Sequence, residues 1–257
     1  MKVTLLQTDI VWGEPEANIR EAERMIAQSA GADLYVLPEM WSTGFATEPQ
    51  DIAHDEADNM ALRWMLQTAH DYRCAICGSL AVRLADGSYR NRHYFADGRN
   101  NQLTFYDKHH LFTYGGENKY YTAGANHTIV EYEGMRFLLL TCYDLRFPGW
   151  SRYGKGREFD AIIVVANWPS SRQSAWQILT RARAIENQCY LVGVNRVGAD
   201  MNCRYEGASV VVDPIGRTVA QCRRNTVQSI TAMLSLDELA RRRKKFSVLN
   251  DRDEILI

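Results

Sequence analysis

Short apolar runs recur along this chain, each closed by a turn signal, and between them apolar positions fall three and four apart. The first rhythm predicts buried strands and the second amphipathic helices. Val3–Leu6 opens the series, with a turn at Trp12-Gly13-Glu14-Pro15. Over Asn18–Ala30, Ile19, Ala22, Ile26 and Ala30 share a helical face, and Gly31 closes the helix. Leu34–Leu37 reads as a buried strand ending in Pro38-Glu39, Met40–Glu56 as a loop, and Ala57–Ala69 as a second helix. Cys74–Arg83 and Tyr89–Ala96 form a hairpin about Asp86-Gly87. Leu103–Tyr106 runs strand-like into Lys108, and Leu111–Gly124, rich in Gly and Tyr without periodicity, reads as an active-site loop. Thr128–Tyr132 and a strand ending at Cys142 follow, then a helix near Gly149–Lys155 and the strand Ala161–Ala166. Gln173–Gln188 carries the clearest helical periodicity, with Trp176 on an otherwise polar flank that suits an interface, against the reading that it closes the edge of the core. Leu191–Asn195, Ala208–Val212, Thr218–Gln221 and Ser229–Met233 are strands, and Pro214–Arg217 is a turn. Leu236–Lys245 is a short basic helix and Phe246–Ile257 a tail.

Strands alternating with helices predict an α/β architecture, while the interspersed hairpins argue against a purely parallel sheet. No low-complexity linker, charge block or internal repeat divides the chain, so residues 1–257 are expected to form a single domain. Composition adds a sizeable core, with 46% hydrophobic and 24% charged residues. A formal net charge of −1 gives no support for a nucleic-acid or membrane-surface partner. The amino terminus meets Asp9 before any long apolar run, which reads as neither signal peptide nor anchor. Six cysteines without such a signal point to reduced thiols in the cytoplasm.

Three predicted strand ends each present a reactive residue before a loop: Glu39, Lys108 and Cys142. Carboxyl ends of strands are where sites assemble in open α/β sheets, and a carboxylate, an ammonium and a thiol are complementary parts for acyl transfer. Each also has an ordinary reading: Glu39 as a cap, Lys108 as a solvated charge, Cys142 as a small buried hydrophobe. Other signals compete. Cys74-Ala75-Ile76-Cys77 has C-x-x-C spacing, but residues three apart in a strand point to opposite faces. His54-Asp55-Glu56 invites a Cys–His–acid triad with Cys142, against a solvated loop. His109 and His110 follow Lys108 and either orient the site or pack in the core. The Gly115-Gly116 pair lacks the context of a phosphate loop, and no cofactor or metal motif is present.

The blocks Pro38-Glu39-Met40-Trp41-Ser42-Thr43-Gly44-Phe45, Tyr106-Asp107-Lys108-His109-His110-Leu111-Phe112 and Cys142-Tyr143-Asp144-Leu145-Arg146-Phe147-Pro148 resemble three signature segments of the nitrilase (carbon–nitrogen hydrolase) superfamily. Ala166–Pro169, Arg183–Gln188, Asn195–Gly198 and the segment from Lys245 to Asp253 resemble further ones, in the same order. Within the superfamily the chain is most similar to the bacterial omega-amidase branch. The resemblance implies a single-domain, four-layer αββα sandwich of the nitrilase type, without cofactor, forming a homodimer or higher homo-oligomer. It implies hydrolysis of the terminal amide of a small carboxylated 2-oxo acid amide such as 2-oxoglutaramate. Glu39, Lys108 and Cys142 take the family's catalytic positions, and Glu117 that of a second glutamate in the loop after the lysine. The Lys108 ammonium and the backbone N–H of Tyr143 would then hold the oxyanion. A carboxylated substrate calls for a cationic partner: Arg172, in a Ser-rich loop, is the first choice, and Arg146, which an acid could instead occupy internally, the second. Trp168 and Phe45 complete the expected pocket. Alternatives are a carbamoyl, nitrile or other amide hydrolase with the same site, a glutaminase-type Cys–His hydrolase, and a non-catalytic binding protein.

Overall fold

Period-two alternation in the first strands sends neighbouring side chains into two different cores. The computed structural model describes residues 1–253, so the last four residues of the tail expected over Phe246–Ile257 lie outside the described residues. The elements run β1 (Lys2–Gln7), α1 (Pro15–Gln28), β2 (Leu34–Val36), β3 (His54–Asp55), α2 (Met60–Tyr72), β4 (Ala75–Arg83), β5 (Tyr89–Asp97) and β6 (Gln102–Asp107). They continue β7 (Ile129–Tyr132), β8 (Met135–Thr141), β9 (Ala161–Ala166), α3 (Gln173–Glu186), β10 (Tyr190–Asn195), β11 (Val197–Ala199), β12 (Arg204–Glu206), β13 (Val210–Val212), β14 (Thr218–Gln221), β15 (Gln228–Met233) and α4 (Leu236–Lys245).

The strands form two mixed sheets, ordered β15-β1-β2-β4-β5-β6, with β3 beside β4, and β14-β13-β10-β9-β8-β7. Val3 and Leu5, Leu34 and Val36, and Ala75 and Cys77 join the core shared with Phe137–Leu140 and Ile162–Val165 of the second sheet. The intervening Leu6, Tyr35, Cys74 and Ile76 pack outward against Ile19, Ala22, Met25 and Ile26 of α1 and Met65 and Ala69 of α2. On the far side of the second sheet, α3 packs Trp176 and Ala184. The order of layers is therefore helix, sheet, sheet, helix. Pro15 sits in the first turn of α1, where its missing N–H costs nothing. Asn59 caps α2 by accepting from Leu62 N at 3.0 Å.

Several expectations need correction. No helix forms near Gly149–Lys155; the segment turns, with a bridge between Gly154 and Arg157. Pro148 precedes it, and glycines at 149, 154 and 156 remove the propensity to propagate a helix. Helical backbone lies instead before the proline, as a 3-10 turn over Cys142–Arg146. The expected loop Met40–Glu56 ends in β3, which pairs with Val82 and Arg83. The β11–β12 hairpin was not legible as strands. Trp176 does not face outward on α3: it is fully buried and donates through Nε1 to Ala208 O at 3.0 Å.

Candidate active site

Strand ends place the reactive groups. β2, β6 and β8 finish just before Glu39, Lys108 and Cys142, so three elements deliver one side chain each to the same end of the two sheets. Cys142 begins its 3-10 turn with φ of 44°, a left-handed conformation that an L residue adopts at a cost. Asp144 holds that turn. Fully buried, it accepts from Thr141 N at 3.0 Å, Tyr106 OH at 2.7 Å and both the backbone N–H and Nδ1 of His110 at 2.8 and 2.9 Å. It therefore ties the cysteine turn to the segment that carries Lys108.

The Lys108 ammonium is buried between two carboxylates. It lies 2.9 Å from Glu39 Oε1 and 2.9 and 3.2 Å from the Glu117 oxygens. Gly116, with φ of 83°, separates two 3-10 turns in the loop and lets Glu117 turn inward, where Phe112 N donates to Oε2 at 2.6 Å. Asn167 N donates to Glu39 Oε2 at 2.9 Å, and its side-chain amide to Glu39 O at 2.7 Å. Asn91, which sequence reasoning missed, donates from Nδ2 to Glu39 Oε1 at 2.8 Å and to Glu117 Oε1 at 3.0 Å.

These contacts shift the protonation equilibria. Burial pushes the Cys142 thiol well above its ordinary value; the facing Glu39 carboxylate adds to this and Lys108 opposes it. The resting sulfur is therefore a thiol beside a hydrogen-bonding carboxylate. Burial alone would lower Lys108, but Glu117 and Glu39 outweigh it and keep the ammonium charged. Burial raises Glu117 above the usual carboxylate range, against the pull of Lys108. A buried base, a buried cation and an adjoining thiol can move a proton off sulfur as a bond forms to an acyl carbon.

All the expected binding residues reach one cavity of about 460 Å3, together with Glu39, Lys108 and Cys142. Phe45 lies under the Lys108 ammonium, 5.2 Å from ring centre to Nζ. Tyr143 packs edge-on against Phe112 and Phe147. The Arg146 guanidinium lies 4.8 Å over the Trp168 ring and forms no ion pair among the described residues, so the internal acid partner considered for it is not found. Arg172 faces Phe112 and Tyr114, and its backbone carbonyl accepts from Trp168 Nε1 at 2.8 Å. The β11–β12 hairpin adds Asp200, Asn202, Cys203 and Tyr205 to the wall, a contribution with no periodicity to announce it.

Among the described residues, no histidine lines the cavity. His54 is exposed in β3, and its neighbour Asp55 pairs with Arg83. His109 stacks on Trp150, and His110 stacks on Phe147 and bonds Asp144. A Cys–His contact does exist, with His93 Nε2 3.4 Å from Cys77 Sγ, but both are buried between the sheets and burial drives His93 down to about 3. Cys74 and Cys77 fall in different cores, as their spacing predicts. Among the described residues, no cluster of three or more His, Cys, Asp or Glu side chains could hold a metal ion, and no helix is long and apolar enough to cross a membrane.

The sequence model of the carbon–nitrogen hydrolase family matches residues 2–244. "Omega-amidase YafV" of Escherichia coli K12 is 42% identical over 257 residues, covering 99% of this chain and 97% of that protein. "2-Oxoglutaramate amidase" of Bacillus subtilis 168 is 36% identical over 251 residues, covering 97% and 96%. Among solved structures, XC1258 of Xanthomonas campestris, described as a CN-hydrolase superfamily protein with an arsenic adduct in its active site, superimposes with a TM-score of 0.95. It is 37% identical and covers 100% of this chain and 98% of its own.

Proposed function

Because the chain belongs to the carbon–nitrogen hydrolase family, we propose that it is an omega-amidase, releasing ammonia from the terminal amide of small 2-oxo acid amides such as 2-oxoglutaramate and 2-oxosuccinamate. The relatives named for that activity are similar over nearly their whole length. The single observation that carries the mechanism is the buried Glu39–Lys108–Glu117 cluster opening onto Cys142 in one cavity.

Glu39 takes the Cys142 proton while sulfur attacks the amide carbon, because a free thiolate facing that carboxylate is disfavoured. The carbonyl oxygen gains charge between the Lys108 ammonium and the Tyr143 N–H. The proton held by Glu39 passes to the amide nitrogen, the C–N bond breaks and ammonia leaves, giving a thioester. Glu39 then takes a proton from water, whose oxygen attacks the thioester, and the carboxylate product and the thiol are restored. Glu117 keeps Lys108 charged and fixed through both half-reactions. A charged nucleophile-activating imidazole has no part in this scheme.

Arg172, or Arg146 beside it, reads the substrate carboxylate, with Trp168, Phe45 and Tyr143 as walls. The absence of histidine from the cavity wall disfavours a glutaminase-type Cys–His site. The protein is read as a single carbon–nitrogen hydrolase domain working in the cytoplasm as a homodimer. With Trp176 buried, the outer face of α3 offers Ile178 and Ile185, seven residues apart and both exposed, to a second copy. Ammonia release measured across 2-oxo amides, amino-acid amides, nitriles and N-carbamoyl acids tests the assignment: selective turnover of the 2-oxo amides supports it, and preference for another class overturns it.

A further inference from the structure

Asn91 lies in β5, only 1% exposed, far in sequence from every signature block. Its Nδ2 donates to Glu39 Oε1 and Glu117 Oε1, the same two oxygens that receive the Lys108 ammonium at 2.9 and 3.2 Å. Two donors and two carboxylate oxygens thus alternate around a closed ring. An asparagine fits this position for a physical reason. A second cation would bury another charge and cancel the negative charge left on the pair, whereas the two N–H bonds of one amide bridge two like charges without adding any. The orientation of the amide follows from the same chemistry, since the reverse would aim a carbonyl at two carboxylates. Its own Oδ1 finds no donor among the described residues, and a buried unpaired acceptor is a cost that calls for a reason. The Asn91 carbonyl also accepts from Lys108 N at 3.0 Å, so one residue registers both the cation and the two acids.

We propose that Asn91 is a positioning residue of the catalytic centre, whose shared amide fixes the spacing of Glu39 and Glu117 and keeps Glu39 directed at Cys142. The inference rests on the reading of Glu39 as the base. Besides the side chain of Asn91 and the backbone amides of Asn167 and Phe112, the groups that face the two carboxylates are Lys108 from the end of β6, Cys142 from the end of β8 and Tyr121 beyond Glu117. The Asn91 bond favours the ionised form of Glu117, which burial disfavours.

The test compares wild type with Asn91→Leu, which has nearly the same shape and no donors. Turnover of 2-oxoglutaramate and burst acylation by 4-nitrophenyl acetate are both followed against pH. The burst needs Cys142 and its base but not recognition of the amide, so it reports on Asn91 even if 2-oxoglutaramate is not a substrate. In Asn91→Leu, kcat should fall roughly ten- to a hundredfold, the effect of losing a hydrogen bond to a charged group, with KM within about twofold. The acid limb of both profiles should move to higher pH, because an N–H that favours ionised Glu117 is gone. Asn91→Ser, shorter and still polar, should show the same direction with a smaller loss, and it decides the matter if the leucine variant does not fold. A folded variant with wild-type kcat and acid limb overturns the proposal. So does a loss of rate with neither acid limb displaced, which would mark Asn91 as a packing residue only.

Discussion

Replacing Lys108 by Met should cost stability as well as activity, and the stability loss should depend on pH. Lys108 is 1% exposed and makes contacts of 2.9, 2.9 and 3.2 Å to Glu39 and Glu117, neither of which reaches solvent. Removing one partner from a buried ion cluster typically costs 3–5 kcal/mol, because the remaining charges are left uncompensated. At roughly 2–4 °C per kcal/mol for a chain of this size, the melting temperature should fall by about 6–20 °C near pH 8. The sign of the pH dependence follows from Glu117, whose folded-state value already lies above the ordinary one because of burial. Without the ammonium it rises further, so the folded variant binds a proton that the unfolded chain releases above roughly pH 4.3. The deficit relative to wild type should therefore be small at acid pH, open as pH climbs past the already raised folded-state value of Glu117 in the wild type, and level off above its still higher value in the variant. Calorimetry of both proteins between pH 4 and 8 measures it. Adding Glu117→Gln to the variant removes one stranded charge and should return part of the loss. A Lys108→Met protein as stable as wild type at pH 8, or with a deficit that ignores pH, would refute the reasoning.

Other outcomes follow from the same geometry. Arg172→Ala should lower kcat/KM on 2-oxoglutaramate by roughly ten- to a hundredfold, as expected for a charge-assisted hydrogen bond, and leave a neutral amide without the carboxylate nearly unchanged; equal losses on both would give Arg172 a supporting role. Arg146→Ala should slow both substrates, because the guanidinium packs on Trp168, and a loss confined to 2-oxoglutaramate would make Arg146 the reader instead. Glu39→Gln should abolish ammonia release yet let iodoacetamide label Cys142 at lower pH, since a negative charge facing the thiol is removed while Lys108 remains; a midpoint that rises would contradict the thiol–carboxylate pairing. Light scattering should show a dimer, and a mass of 29.4 kDa at micromolar concentration would count against it.

The parts of the site legible in the sequence are those at the ends of strands. Glu39 and Cys142 each follow a buried apolar run, which burial makes conspicuous, and Lys108 follows the largely exposed strand Gln102–Asp107, legible only as a short strand-like stretch. Glu117 was reached through the resemblance alone, because its loop has no periodicity and its inward turn depends on Gly116. Asn91 was invisible for the opposite reason: one polar residue inside a strand looks like a solvent-facing position, and only the pairing of β5 with β4 and β6 turns it inward. The hairpin that carries Asp200, Asn202, Cys203 and Tyr205 contains strands of three residues, too short to announce themselves. Trp176 misled because a large aromatic on a polar helix flank reads as an interface residue, whereas its indole finds a buried carbonyl at Ala208. The four-layer order came through the resemblance, since the division of Val3, Leu5 and Leu6 between two cores is visible only once the sheets are in place.

Hydrolysis by this route passes through a covalent thioester on Cys142, which mass spectrometry of protein quenched during turnover of 2-oxoglutaramate would detect. The peptide containing Cys142 should gain the mass of the substrate less ammonia, and Cys142→Ala should show neither that adduct nor ammonia release. Full ammonia release by Cys142→Ala, or an adduct on any other residue, would contradict the account.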